Sequence, residues 1–242
     1  MLDEARAELA PEGVLRAGVN MGNFLLVTGR TAEDDPDGVS PDMARAIAAR
    51  LGVPVQLVPF ASPGVLADAV GTGAWDIALI GAEPQRAEQI EFTAAYAEIE
   101  ATYLVPAGSS IRSVDEVDRP GVRVAVSARA AYGLWLERNL RHATLIATDT
   151  PGEAMERFVA EGLDALASLR PGLLEDVQRL PGARVLDGHF ATVQQAVGTA
   201  KANRAGAAFL RAFVEEAKAS GLVGRLIEQH GVTGRLAVAP PG

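Results

Sequence analysis

Hydrophobic and polar positions follow one another in a strand–loop–helix order that repeats along the chain. Residues 14–19 alternate and predict a strand. From Asn20 to Ser40 the chain is polar and predicts a flexible exposed stretch. Its carboxylates, in Glu33-Asp34-Asp35-Pro36-Asp37-Gly38, lack the spacing and the twelfth-position Glu of a calcium loop, so they predict an exposed turn. Ser40-Pro41 then predicts a helix start, Ser as N-cap and Pro at the first helical position. Ala44, Ile47, Ala48 and Leu51 form the stripe of that helix, and Gly52 ends it. Residues 53–59 predict a strand and 63–70 a short helix. Residues 75–80 form a near-continuous apolar strand, as for one covered on both faces. Gly71-Thr72-Gly73 follows a helix and precedes a strand, the reverse of a dinucleotide fingerprint, so it is no phosphate loop.

The same order returns in the second half. Residues 122–126 predict a strand, 130–140 a helix, 145–147 a short strand, 151–160 a helix and 163–169 a strand. Gly73-x-x-Asp76 and Gly162-x-Asp164 occupy equivalent places before apolar strands. Two α/β units of similar plan in series suit mostly parallel sheets. Residues 202–231 predict a long helical region, with Phe209, Leu210, Phe213, Val214, Ala217, Leu222, Leu226 and Ile227 as core.

Composition narrows the class. The chain has 242 residues, 48% hydrophobic and 22% charged, enough apolar side chain for one or two folded domains. No apolar run is long enough to span a bilayer, which argues against membrane insertion. A net charge of −9 without a Lys/Arg cluster argues against nucleic acid. The absence of cysteine removes disulfides, thiolate catalysis and Cys-ligated zinc. Met1-Leu2-Asp3-Glu4-Ala5-Arg6 is acidic and leads into no apolar segment, so no signal peptide is expected within these residues.

The run Trp75-Asp76-Ile77-Ala78-Leu79-Ile80-Gly81, then Arg86, then Ile90-Glu91-Phe92-Thr93-Ala94-Ala95-Tyr96, resembles the central signature of type 2 periplasmic solute-binding proteins. These are the bacterial extracellular solute-binding family 3, of the amino-acid ABC transporter type. The likeness runs from Val14 to about Gly231. It implies an α/β fold of two lobes, each a mostly parallel sheet flanked by helices, joined by a two-strand hinge near residues 103–106 and 195–198. Lobe 1 would comprise residues 12–104 plus 196–242 and lobe 2 residues 105–195. The resemblance also implies a monomer in the periplasm that hands a small-molecule ligand to the membrane permease of an ABC transporter, with no cofactor.

Open α/β sheets bind ligands beyond the carboxyl ends of their strands. The loops to inspect therefore hold Asn20, Asn23 and Phe24; Ser62; Gly81, Glu83 and Arg86; Ser127, Arg129 and Tyr132; and Arg170. Three of these five loops carry an Arg, whose planar fork suits carboxylates. Ser127 and Arg129 precede a helix start, where N–H groups favour an anion. Arg86 matches the family's carboxylate-clamping Arg. The departures from the family pattern are equally specific. Ala82, Glu83 and Pro84 replace a Ser/Thr-rich loop about two residues longer, and Arg129-Ala130 replaces a Gly-Thr pair. Leu169 stands where an acid normally holds a ligand ammonium, and Ser62 stands near the usual stacking aromatic. The anion side is rich and the usual cation side is missing, so a small carboxylate is the expected ligand. Glu83 or Glu98 as a substitute cation site keeps an amino acid second.

No nucleophile elbow, Walker sequence or His pair at metal spacing is present, and His142, His189 and His230 are assigned to structure or surface. A binding protein rather than an enzyme is expected, with no metal. Two alternatives remain: a dehydratase-like enzyme on this fold, with Glu83 as the only loop carboxylate placed for general acid work, and a cytoplasmic small-molecule sensor.

Overall fold

The computed structural model describes residues 2–242. In chain order the elements begin α1 (Leu2–Leu9), β1 (Leu15–Asn20), β2 (Gly29–Arg30), β3 (Pro36–Asp37), α2 (Val39–Leu51) and β4 (Val55–Phe60). Next come α3 (Pro63–Asp68), β5 (Ile77–Gly81), α4 (Pro84–Ala87), β6 (Ile90–Phe92), β7 (Ala97–Val105), β8 (Arg123–Ser127) and α5 (Ala131–Asn139). Then follow β9 (Thr144–Thr148), α6 (Pro151–Ala160), β10 (Ala165–Leu169), α7 (Arg170–Asp176) and β11 (Arg184–Val185). The chain ends with β12 (Ala191–Ala200), α8 (Arg204–Ala219), α9 (Leu222–Gln229) and β13 (Ala237–Val238). These elements form two units. One comprises the chain up to Glu98 together with Gln194–Gly242, the other Ile99–Val193. The chain crosses between them within β7 and returns within β12.

In the first unit β4, β1 and β5 run parallel in that order, and β12 joins β5 antiparallel. All five residues of β5 are buried, as their unbroken apolar character requires. Leu66, Trp75, Ala78, Ile80 and Ile90 pack together, and the indole N–H of Trp75 donates to Leu66 O at 2.9 Å. Gly18 of β1 has a steric reason: a Cβ there would come within 2.4 Å of Leu66 Cδ1. In the second unit β10, β8 and β9 are parallel, and β7 pairs antiparallel with β10. Thr150 and Glu153 form a capping box at the start of α6, satisfying two of its orphan N–H groups. Phe190 lies against Tyr103 and Trp135, with ring centroids 4.6 and 5.4 Å away.

The repeated Gly/Asp positions have a common physical role. Asp76 accepts from Arg16 at its backbone N (2.8 Å), Nε (3.0 Å) and Nη2 (2.7 Å), while Arg16 Nη1 donates to Gly73 O at 2.6 Å. In the other unit Asp164 accepts from Arg123 N (2.8 Å) and Nε (3.3 Å), and Arg123 Nη2 donates to Gly162 O at 2.7 Å. Each Asp thus clasps the amino end of its unit's first parallel strand to the turn before the third.

Four readings need correction. Leu2–Leu9, read only as an acidic start, is a helix with Ala5 and Leu9 buried; its Glu8 carboxylate accepts from Gly206 N of α8 at 2.7 Å. The stretch after Asn20 is not simply polar and flexible, because Leu25, Leu26 and Val27 are buried and β2 pairs with β3. Ser40 does not cap α2. The cap position is Gly38, and Ser40, 2% exposed, shares a 2.9 Å hydroxyl contact with buried Tyr96. The helical tail is two helices, divided where Gly221 takes φ +75°, a left-handed conformation that glycine adopts without steric cost.

Candidate ligand site

The parallel order β4–β1–β5 brings three strand-end loops of the first unit together. Met21 N donates to Phe60 O at 2.9 Å, joining the loop after β1 to the end of β4. Asn20 Oδ1 accepts from Gly22 N at 3.0 Å. Asn23, buried, accepts from Leu25 N and Leu26 N at 3.1 and 3.3 Å. Both side chains therefore shape the loop by bonding its own backbone two or three residues on. Phe24, which follows them, is 41% exposed, and the guanidinium of Arg235 lies 5.5 Å from its ring centroid, a cation–π distance. Ser62 caps α3, accepting from Val65 N at 3.3 Å, with Pro63 at the first helical position.

At the end of β5 the chain turns into the short helix α4. Glu83 is its N-cap residue and is 8% exposed; Arg86 is 7% exposed. Arg86 Nη1 donates to Gly81 O at 2.7 Å, which aims the guanidinium along the strand end instead of into solvent. Burying a carboxylate and a guanidinium three residues apart is costly unless each is well bonded.

In the second unit Ser127 ends β8 and is buried, and Ala128 N donates to Thr148 O at the end of β9. Arg129 takes φ +63°, in the left-handed region that non-glycine residues rarely adopt. The cap position of α5 is Ala130, without a side-chain bond, so Ser127 is not serving as that cap. Ser168 Oγ donates to Tyr132 Oη at 3.5 Å. Burial holds the Tyr132 phenol above its ordinary pKa, only partly offset by its bonds to Ser168 and Ser127, so it remains a neutral hydroxyl. Gly133 permits this cluster: a Cβ there would sit 2.4 Å from Ser127 O. Leu169 leads into α7 as its N-cap residue. Arg170 is fully engaged in the framework. Its Nε donates to Glu100 at 2.6 Å, its Nη1 to Leu186 O at 3.3 Å and its Nη2 to Gly188 O.

Ser168 and Arg235 join these groups without having been singled out in the sequence. Ser168 interrupts an otherwise apolar strand, a signal available from residue type alone. Arg235 follows α9, outside every strand-end loop, so the strand-end rule cannot reach it. Glu98 lies on β7 opposite Ala237 of β13. Among the described residues no helix is long and apolar enough to cross a membrane.

A search of curated proteins returned no match. Solved structures share the fold. The ancestral amino acid-binding protein AncCDT-1, a precursor of cyclohexadienyl dehydratase, matches at TM-score 0.72 and 23% identity, over 94% of this chain and 98% of its own. AbpA, an amino acid ABC transporter substrate-binding protein from Streptococcus pneumoniae bound to L-arginine, matches at TM-score 0.72 and 20% identity, over 92% and 96%. A binding component of an ABC transporter from Wolinella succinogenes complexed with lysine matches at TM-score 0.73 and 21% identity, over 90% and 95%. The family model for bacterial extracellular solute-binding proteins, family 3, matches residues 18–233, and with the two units and strand order described above, this chain belongs to that family.

Proposed function

We propose that this solute-binding protein captures a small carboxylate for an ABC-type uptake system, working in the periplasm with a membrane permease as its partner. The observation that carries the ligand class is the buried Arg86, directed by Gly81 O at the end of β5. An α-ammonium beside Leu169 would lose hydration without gaining a charge partner there. Asn20, Asn23 and Ser62 shape the loops, Phe24 offers an exposed aromatic face, and Ser127 and Tyr132 supply hydroxyls. Arg129 adds a second cation, while Arg170 acts through the framework. A thermal-shift screen should rank mono- and dicarboxylic acids above their α-amino counterparts, because ligand that binds only the folded state raises Tm by mass action. Arg86→Ala should weaken the best acid about tenfold or more, as expected for a charge-assisted bond worth ~1.5–3 kcal/mol. A larger shift with amino acids, or wild-type affinity in the variant, would sink the reading.

A second reading is an amino acid, favoured by the arginine and lysine named for the similar structures. It would require buried Glu83 to receive the ammonium. Turnover of a cyclic acid such as prephenate, lost in Glu83→Gln, would instead identify a dehydratase-like enzyme.

A further inference from the structure

His230, the C-cap residue of α9, has a side chain only 7% exposed, and its Nε2 lies 2.7 Å from Asp42 Oδ2 in the first turn of α2. Asp37, at the end of β3, brings a carboxylate oxygen into the same group, so that one donor atom from each residue lies within 4.8 Å of the others. The Asp37 side chain makes no hydrogen bond or ion pair among the described residues, although it lies beside the half-buried His230–Asp42 pair. Arg45 Nη1 donates to the other oxygen of Asp42, Oδ1, at 2.8 Å, and Gln229 Nε2 reaches Oδ2 at 3.3 Å. Arg45 also donates to Pro36 O at 3.1 Å, bracing the strand that carries Asp37.

We propose that His230, Asp42 and Asp37 form a binding site for a divalent transition-metal cation of the zinc class. One imidazole nitrogen and two carboxylate oxygens are donors that zinc accepts at about 2.0–2.2 Å, which puts tetrahedral neighbours roughly 3.3–3.6 Å apart, so the 2.7 Å His230–Asp42 hydrogen bond would open by less than about 1 Å to admit the ion. Three protein donors leave a fourth position for water. The cation would balance two carboxylates against a neutral imidazole, and the C-terminal end of α9 adds favourable partial negative charge. Arg45 fixes the orientation of Asp42 by its non-coordinating oxygen, the kind of outer support that metal-binding carboxylates use. The site would pin three separate segments of one unit: the hairpin strand β3, the start of α2 and the end of α9.

The test uses the full chain, without an affinity tag and stripped with chelator, titrated with Zn2+ by calorimetry and with Co2+ by visible absorption. The expected result is one zinc per chain, a raised Tm and a cobalt d–d spectrum. Asp37→Asn should weaken binding roughly tenfold or more, and His230→Gln should abolish it. A double variant of the exposed histidines, His142→Gln with His189→Gln, should bind as the parent does. The Asp37 side chain bonds no other side chain or backbone group among the described residues, so its variant keeps the test valid even where His230→Gln folds poorly. No stoichiometric zinc, or zinc retained in Asp37→Asn and lost in the His142/His189 variant, would overturn the proposal.

Discussion

The paired clasps allow one perturbation to be made twice in different surroundings. Asp76→Ala removes three bonds from Arg16, and the side chains concerned are 6% and 23% exposed. Breaking a buried pair costs about 3–5 kcal/mol, because the surviving charge loses its partner without regaining water. Arg16 keeps partial solvent access and its bond to Gly73 O, so the lower end applies, about 3 kcal/mol. Asp164→Ala removes the equivalent group from Arg123, but these side chains are 39% and 44% exposed. An exposed pair is worth about 0–1 kcal/mol, and the lost bond to the Arg123 backbone adds about 1 kcal/mol. The expected loss is therefore at most about 2 kcal/mol, clearly below that at Asp76. Urea unfolding measures both, and the two tryptophans serve as reporters, Trp75 in one unit and Trp135 in the other. Equal losses, or a larger loss at Asp164, would refute the argument that the more buried clasp is worth more.

Arg129→Gly should raise stability by about 1 kcal/mol, since the left-handed conformation costs a residue with a Cβ roughly that much. It should also weaken carboxylate binding, as calorimetry on the same variant can check; unchanged stability would argue against strain at this position. Asp118 provides a pH test. Burial alone would raise its carboxyl pKa, but the N–H groups of Ala143, His142 and Arg141, at 2.8–3.1 Å, outweigh burial and hold it below the ordinary value. A depressed folded pKa means that the unfolded chain binds the proton first as pH falls. The contribution is therefore present above an unfolded pKa of about 3.9 and lost as pH drops through the folded value. Asp118→Asn should lower the urea midpoint near neutrality and lose less stability than the parent on acidification; parallel pH curves would count against it.

Strand and helix order was legible because glycine, proline and apolar runs punctuate it, as in Gly52 at the left-handed end of α2 and the apolar β5. What escaped has physical reasons. Leu25, Leu26 and Val27 are too short a run to show a period, so the pattern alone does not reveal their burial. Ser40 has the residue type of a cap, yet its hydroxyl is used by Tyr96, fifty-six positions later. The strand-end rule names loops, but residue type within them does not tell a side chain free to meet a ligand from one bonded into the framework. Arg170 illustrates this, since Glu100, its partner, lies on a strand distant in sequence. The same limit hid the His230–Asp42–Asp37 group, whose members come from three elements and share no spacing.

The discontinuous first unit sets an order of events during synthesis. Its sheet needs β12, and its helix α1 rests on α8, so neither can be completed until the last fifth of the chain has been made. The second unit, by contrast, is contiguous and has all its residues once Val193 has emerged. At roughly 5–20 residues per second, the first ninety-eight residues wait several seconds or more with Ile77–Gly81 lacking a neighbour along one edge. An exposed apolar edge strand is a template for the wrong partner. The nascent chain is thus at greatest risk of misassembly in its earliest-made segment, and a chaperone acting on it would find its most useful target around β5.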